Sequence, residues 1–384
     1  MGMAVANGQD APAPMDSSAV ARQDDFTAET TKQRAEKRDD LGACLPYGSS
    51  GAAARTERAS RMPRVNERVA AVLAHRLTVA SVAACALVLP FVLWGFRTYQ
   101  LAFAATHAIA IVGLNLIAGQ AGLISLGHGA FYGLGAYTLA VMMRHAGVSA
   151  YVGILAAPLL CLAAGYVFGR VVARLTRFYL ALATFALALA VPQTLKSSYL
   201  HPWTGGVQGL YLDRPSAPAG LPLTQDQWWY LVTLAILALL LWLARSLVAG
   251  RVGRAIRAMR DHPVAAQVAG IDLAHYTAAI FAVGAAYAGT AGALAALLLD
   301  FVAPESFTYW LSILLLVGSV FGGMTSVWGA VAGGLFLQFW PDIAGMVSRN
   351  LVHPVFGALL VLSMRFMPGG VAGLVEGRRP DLRQ

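Results

Sequence analysis

From about residue 77 to residue 368 the sequence is a succession of apolar runs close to 20 residues long, separated by short polar or arginine-bearing segments. An α-helix of that length spans roughly 30 Å, the thickness of a bilayer's hydrocarbon core. Backbone N–H and C=O groups find no water there, so each run has to satisfy them internally, as a helix does. The runs therefore predict an all-α, polytopic membrane protein. Composition agrees, because 58% of the chain is hydrophobic and only 12% charged, about half the charged share of a soluble protein.

Ten candidate spans can be drawn, at 77–96, 99–119, 124–143, 150–170, 178–196, 228–248, 275–299, 308–323, 327–345 and 353–368. The number falls to eight or nine if 120–143 is re-entrant. Cationic residues give the orientation. If the N-terminus is cytoplasmic, the inner segments hold Arg55, Arg58, Arg61, Arg64, Arg68 and Arg76, then Arg170, Arg174 and Arg177. They also hold the cluster from Arg245 to Arg260, and Arg378, Arg379 and Arg383. The outer segments hold Arg97, Arg144, Lys196, Arg214 and Arg349. That asymmetry is the positive-inside pattern, and it puts both termini in the cytoplasm. It also explains the pI of about 9.7 without nucleic acid, since no basic stripe carries interleaved exposed aromatics.

Residues 1–75 lack sustained apolar periodicity and are read as a disordered cytoplasmic extension. Met62 opens a stretch like an ordinary permease start, so residues 1–61 are either an extension or an upstream misassigned start. Residues 76–375 form the transmembrane domain, with an extracytoplasmic loop at 197–227, and 376–384 form a cytoplasmic tail. Cys44, Cys85 and Cys161 are isolated, which predicts neither a disulfide nor a metal site.

The loop at 250–275, GRVGRAIRAMRDHPVAAQVAGIDLAH, cannot be buried in lipid. Arg251, Arg254, Arg257 and Arg260 recur every third residue and wind around about half of a helix, leaving Ile256 and Met259 partly segregated. Pro263 suits the first turn of a second short helix, and Gly270 suits a C-terminal cap. A helix-turn-helix presented on the cytoplasmic face is expected. Its arginines either touch anionic membrane lipid headgroups or dock a partner, and four in ten residues exceed what orientation needs.

No GxxxxGK[ST] occurs, and no series of Asp, Glu or His lines the spans as a proton relay would. Acids after residue 70 fall in loops or at span ends, from Asp213 and Asp226 to Glu376 and Asp381. The chain thus carries no energy source of its own, no catalytic set and no cofactor site. Polar groups at membrane depth gather in GLNLIAGQAGLISLGHGAFYGLGAY, which holds Asn115, Gln120, Ser125 and His128 beside Phe131, Tyr132 and Tyr137. Its seven glycines permit a broken helix where backbone faces protein or a wet cavity. These side chains either line a pathway for a small polar solute or hold the bundle together by hydrogen bonds. The pairs Gly129/Gly133, Gly165/Gly169, Gly318/Gly322 and Gly329/Gly333 read as close helix packing.

Five collinear blocks between residues 77 and about 375 resemble the inner-membrane permeases of branched-chain amino acid ABC transporters, of the LivM type. They are the segment Gly113–Tyr137, the run from Gly253 through AGTAGAL, Thr204–Gly206 with Gly209, PESFTYWLSILLLVGSVFGGMTSVWGAVAGG from Pro304, and FMPGGVAGL. The resemblance implies that residues 254–270 form the cytoplasmic coupling loop, with Arg254, Arg257, Arg260, Asp261, Ala265, Ala266 and Gly270 as its contacts. Val264 stands where the general pattern of such loops has glutamate. The resemblance further implies two ATP-binding subunits that hold the ATP, a second permease subunit of the LivH type, and an extracytoplasmic solute-binding protein. With no nucleotide-binding sequence following, the ATPase would be separate. The expected function is a bacterial inner-membrane importer for branched-chain or related hydrophobic amino acids, not an enzyme. A urea or short-chain amide permease of the same family is the alternative. A self-sufficient carrier or channel is disfavoured by the missing intramembrane carboxylates.

Overall fold

The computed structural model describes residues 84–92, 95–218, 222–347, 357 and 369–375. The segment 1–75, the tail 376–384 and, apart from Gly357, the candidate span 353–368 lie outside them. A helical stretch at 84–92 precedes α1 (Phe96–Leu114), which runs on into a π-helical segment (Asn115–Gln120). Next come α2 (His128–Ala146), α3 (Ala150–Val172) and α4 (Arg177–Leu195). A one-turn helix α5 (His201–Thr204) and strand β1 (Leu210–Tyr211) lead to α6 (Gln225–Ala249). α7 (Arg251–Asp261) and α8 (Pro263–Val268) join it to α9 (Leu273–Leu299). Strand β2 (Phe301–Val302), a 3-10 turn (Pro304–Phe307), α10 (Tyr309–Gly322), α11 (Gly329–Val347) and α12 (Gly370–Val375) follow.

α9 and the helix from Phe96 to Gln120 are central: 83% and 78% of their most apolar windows are buried, against 22% for α6. Alanine and glycine dominate α9, and its neighbours come close in consequence. A Cβ on Gly165 of α3 would stand 2.5 Å from that of Ala285, and one on Gly169 would stand 2.7 Å from the Cα of Ala278. The other small-residue pairs behave alike. A Cβ on Gly322 would stand 2.0 Å from the carbonyl oxygen of Gly329, and one on Gly333 would stand 2.2 Å from that of Gly318. Two motifs separate in the sequence are thus the two halves of one α10–α11 interface, where dispersion replaces the hydrophobic effect that lipid cannot supply.

α3, α4 and α6 turn large apolar side chains outward, among them Leu155, Val171, Leu182, Leu239 and Trp242. Water would not tolerate that belt, and lipid or a second membrane subunit does. Among the described residues, five helices are long and apolar enough to cross a bilayer, and α10 is a shorter apolar helix. The protein is a polytopic, all-α membrane protein. The candidate span 124–143 starts later than expected, at His128, because residues 121–127 are not helical and Gly122 turns the chain at φ +67°.

α6 separates the two polar ends of the bundle. Thr224 begins it with a capping box, its hydroxyl accepting from Gln227 N while the Gln227 side chain accepts from Thr224 N. At that end β1 pairs antiparallel with β2, Leu210 opposite Val302 and Tyr211 opposite Phe301. Arg214 bridges Asp226 at 3.1 Å and Asp300 at 3.0 Å, tying the 197–227 segment to the start of α6 and the end of α9. The sequence alone offered no sign of this clamp.

Candidate functional site

α7 and α8 lie at the other end of α6. Gly253, Ile256 and Met259 are the buried side of α7, while Arg251 and Arg254 are exposed and Arg257 and Arg260 half-buried. The three-residue spacing of the arginines therefore splits them between two environments. Arg257 donates to the carbonyl of Val248 at 3.1 Å, closing α7 onto the end of α6. The hydroxyl of Thr277 on α9 meets the sulfur of Met259 at 3.8 Å. Pro263 opens α8, and Gly270 follows it at φ +85°, a conformation that a side chain resists. The helix-turn-helix expected from the sequence is present with those limits.

Of the remaining residues expected to make contacts here, Asp261, Ala265 and Gly270 are exposed and Ala266 is buried. Val264 and Val268, one turn apart on α8, are 73% and 87% exposed. They form an apolar knob that arginine spacing did not reveal, although two valines at i and i+4 on a polar loop were its visible signal. An open groove of about 590 Å³ runs beside α8, lined by Arg174, Gln267, Gly270, Ile271 and Asp272 among others. Asp272 accepts from Ala274 N and His275 N, so it caps α9.

The polar cluster at membrane depth divides in two. On one side, Asn115 donates to the carbonyl of Ser326 at 3.0 Å and Gln120 donates to that of Thr325 at 2.9 Å. Ser319 of α10 donates to Oδ1 of Asn115. Both amides thus grip the turn between α10 and α11. On the other side, Phe131 meets Phe168 edge-on, and Tyr132 and Tyr137 both lie against Phe307, with ring centroids 6.0 and 6.1 Å apart. Ser125 and His128 are buried as well. His128 Nε2 lies 2.9 Å from the carbonyl oxygen of Ala110, which can only accept, so Nε2 carries the proton and Nδ1 is an acceptor.

Within the described residues, Ser125 Oγ, His128 Nδ1 and the Tyr137 hydroxyl have no protein partner. Polar atoms left so at this depth are costly unless something else meets them.

The start of α2 lacks a local side-chain cap, and more distant helices supply the bonds. Thr184 of α4 accepts from Leu126 N at 3.0 Å, and Ser312 of α10 accepts from Gly129 N at 2.9 Å. Both hydroxyls are fully buried. A Ser or Thr inside an apolar run is the only trace of this in the sequence. The two halves of the molecule's polar machinery are joined where the Arg260 guanidinium donates to the carbonyl of Gly119 in the π-helical segment. Among the described residues no three His, Cys, Asp or Glu side chains gather as a metal site would require.

Comparison with known proteins gives the chain's family. The family described as "Branched-chain amino acid transport system / permease component" matches residues 96–364, from the first residue of α1 onward. The high-affinity branched-chain amino acid transport system permease protein LivM of Salmonella typhimurium is 31% identical over 307 residues, 72% of this chain and 69% of the relative. LivM of Escherichia coli matches with the same identity and coverage. BraD of Pseudomonas aeruginosa, a permease protein of the same kind of system, is 27% identical over 296 residues, 71% of this chain and 93% of the relative. No solved structure matches the chain.

Proposed function

The chain belongs to the family of permease components of branched-chain amino acid transport systems, and from that premise we propose that it is the LivM-type half of an inner-membrane ABC importer for those amino acids. Two separate ATP-binding subunits hold the ATP, a second permease subunit of the LivH type completes the pathway, and an extracytoplasmic solute-binding protein delivers the substrate. Both termini and the 250–275 segment face the cytoplasm. The chain forms and breaks no covalent bond. Its work is to change which side of the membrane the pathway opens to.

The observation that carries this reading is the exposed face of α7 and α8. Arg254, Asp261 and Ala265 stand in water beside Val264 and Val268, on a base anchored by Ile256, Met259 and Ala266. A monomer gains nothing from two exposed valines at a loop tip, whereas a partner with an apolar cleft does. Closure of the ATP-binding subunits would push this base, and α6 and α9, which flank it in the chain, would tilt with it. Asn115, Gln120, Ser125, His128, Phe131, Tyr132 and Tyr137 are the proposed pathway residues, supported by their depth and by the unpartnered oxygens and nitrogen among them.

The complete transporter, purified with its ATP-binding subunits and reconstituted in vesicles with the binding protein inside or outside, tests this. Leucine uptake should require ATP and external binding protein. Uptake that persists without the ATP-binding subunits would overturn the proposal, and uptake of urea instead of leucine would reassign the substrate. Val264→Asp with Val268→Asp should release the ATP-binding subunits during purification.

A further inference from the structure

Arg260 lies in the last turn of α7 and is half-buried. It donates to the carbonyl of Gly119, 141 positions earlier in the chain. Gly119 is the fifth residue of the π-helical segment, so its carbonyl belongs to the last turn of that helix and lacks a partner within it. A cation there meets both an orphan acceptor and the negative end of the helix dipole. Gly122 makes the contact possible. A Cβ at that position would stand 2.9 Å from Cγ and 3.3 Å from Cδ of Arg260, so the arginine stem lies directly over the glycine.

The π-helical segment is in turn locked to the α10–α11 turn. A Cβ on Gly119 would stand 1.8 Å from the carbonyl oxygen of Met324, so the two backbones touch. Gln120 bonds Thr325, and Asn115 bonds Ser326. A π turn carries one more residue per hydrogen-bonded ring than an α turn and is held less firmly, which makes it the part of α1 most able to change register. α7 also touches α6 through Arg257 and α9 through Met259, but the 250–275 loop already joins it to both of those. Arg260 reaches a helix that the chain does not join to it.

We propose that Arg260 is a strut that passes movement of α7 and α8 to the π-helical segment Asn115–Gln120, and through it to the turn at 323–326. It is a positioning residue, and this role rests on reading α7–α8 as the segment that the ATP-binding subunits push. Removing it should uncouple hydrolysis from transport without releasing the ATP-binding subunits. Coupling between sites of this kind is worth about tenfold.

The test uses the complete reconstituted transporter and compares Arg260→Ala, Arg260→Lys and Gly122→Asn with Arg254→Ala. Arg260→Ala should retain the ATP-binding subunits and hydrolyse ATP while substrate moved per ATP falls about tenfold. Arg260→Lys should recover part of that loss, since it keeps the cation. Gly122→Asn displaces the arginine stem without touching its charge, with the side chain that best tolerates the φ of +67° there, and should reproduce the uncoupling. A cysteine placed at Ile124, which is exposed in the segment between π-helix and α2, should change its labelling rate with nucleotide in the parent and not in Arg260→Ala.

Substrate moved per ATP within about twofold of the parent in Arg260→Ala would overturn the strut, as would loss of the ATP-binding subunits by that variant. If Arg260→Ala does not fold into the membrane at all, the Gly122→Asn and Arg260→Lys pair decides by the same ratio. Retention of the ATP-binding subunits by Val264→Asp with Val268→Asp would overturn the docking assignment instead, leaving the Ile124 labelling result to judge the strut.

Discussion

Ser319 and Asn115, 204 positions apart, meet side chain to side chain at the core of the molecule: the Ser319 hydroxyl donates to Oδ1 of Asn115 at 2.5 Å. Nδ2 of the same amide donates to the carbonyls of Ser326 at 3.0 Å and Gly323 at 3.4 Å. One buried asparagine therefore uses both ends to hold α10 and the turn that follows it. Asn115→Ala removes this amide from the Ser319 hydroxyl and from both carbonyls, which should cost about 1–3 kcal/mol. Asn115→Asp should cost more, because it turns an oxygen toward the Ser326 carbonyl. Unfolding in detergent would measure both. If Asn115→Ala shifts the midpoint no further than Ser125→Ala, whose hydroxyl has no protein partner, the amide is not structural.

The glycine-lined α10–α11 interface predicts a sharp size limit. Gly333→Ala would force a Cβ to 2.2 Å from the Gly318 carbonyl oxygen, and relieving that overlap should cost about 1–3 kcal/mol. Gly373→Ala meets open space and should be neutral. Comparing the unfolding midpoints of the two variants in one detergent isolates packing from helix propensity, which favours alanine in both.

Much of the architecture was legible in the sequence for physical reasons that are local. Apolar run length gives spans because lipid demands internally bonded backbone, and Pro263 and Gly270 bound α8 because each restricts its own dihedrals. Glycine density between Gly113 and Tyr137 foretold a broken helix. What the break is made of was not legible. Asn115 and Gln120 were placed at membrane depth, but their partners are backbone carbonyls at 325 and 326, chosen by tertiary approach and invisible in any window of sequence. The same holds for Thr184 and Ser312, which cap α2 from other helices, and for Arg260, whose triplet spacing looked like part of one charged face. Periodicity along a helix reports what a residue's neighbours on that helix are, not which far carbonyl its side chain will find.

Arg214 supplies a third prediction. Its side chain is 13% exposed and faces Asp226 and Asp300, themselves 37% and 42% exposed, so solvent screens the pair in part. Arg214→Ala should therefore cost only about 1 kcal/mol of global stability. Its local effect should be larger, because this side chain ties the segment that carries β1 to the start of α6 and the end of α9. Arg214→Lys should not rescue it, since a single ammonium lacks the fork that spans two carboxylates. Limited proteolysis between Leu210 and Gln225 reads this directly. Cleavage unchanged in Arg214→Ala would mean that the β1–β2 pairing alone holds the segment.

The last prediction separates transport from scaffolding within the buried cluster. Asn115 and Gln120 spend their donors on the 325–326 backbone, so cysteine at either place should disturb assembly before it reports on water. Among the described residues no protein group meets the side-chain oxygens of Ser125 and Tyr137, and the Tyr137 ring meets Phe307 in a T-shaped contact. If these two line the pathway, Ser125→Cys and Tyr137→Cys should assemble and react with a water-soluble thiol reagent at rates that change when ATP is trapped on the partner subunits. Cys44, Cys85 and Cys161 must first be replaced by serine or alanine, since Cys85 is a free, exposed thiol that would itself react. Assembled variants that resist the reagent in every nucleotide state would assign the cluster to bundle packing and move the pathway to the surface shared with the second permease subunit.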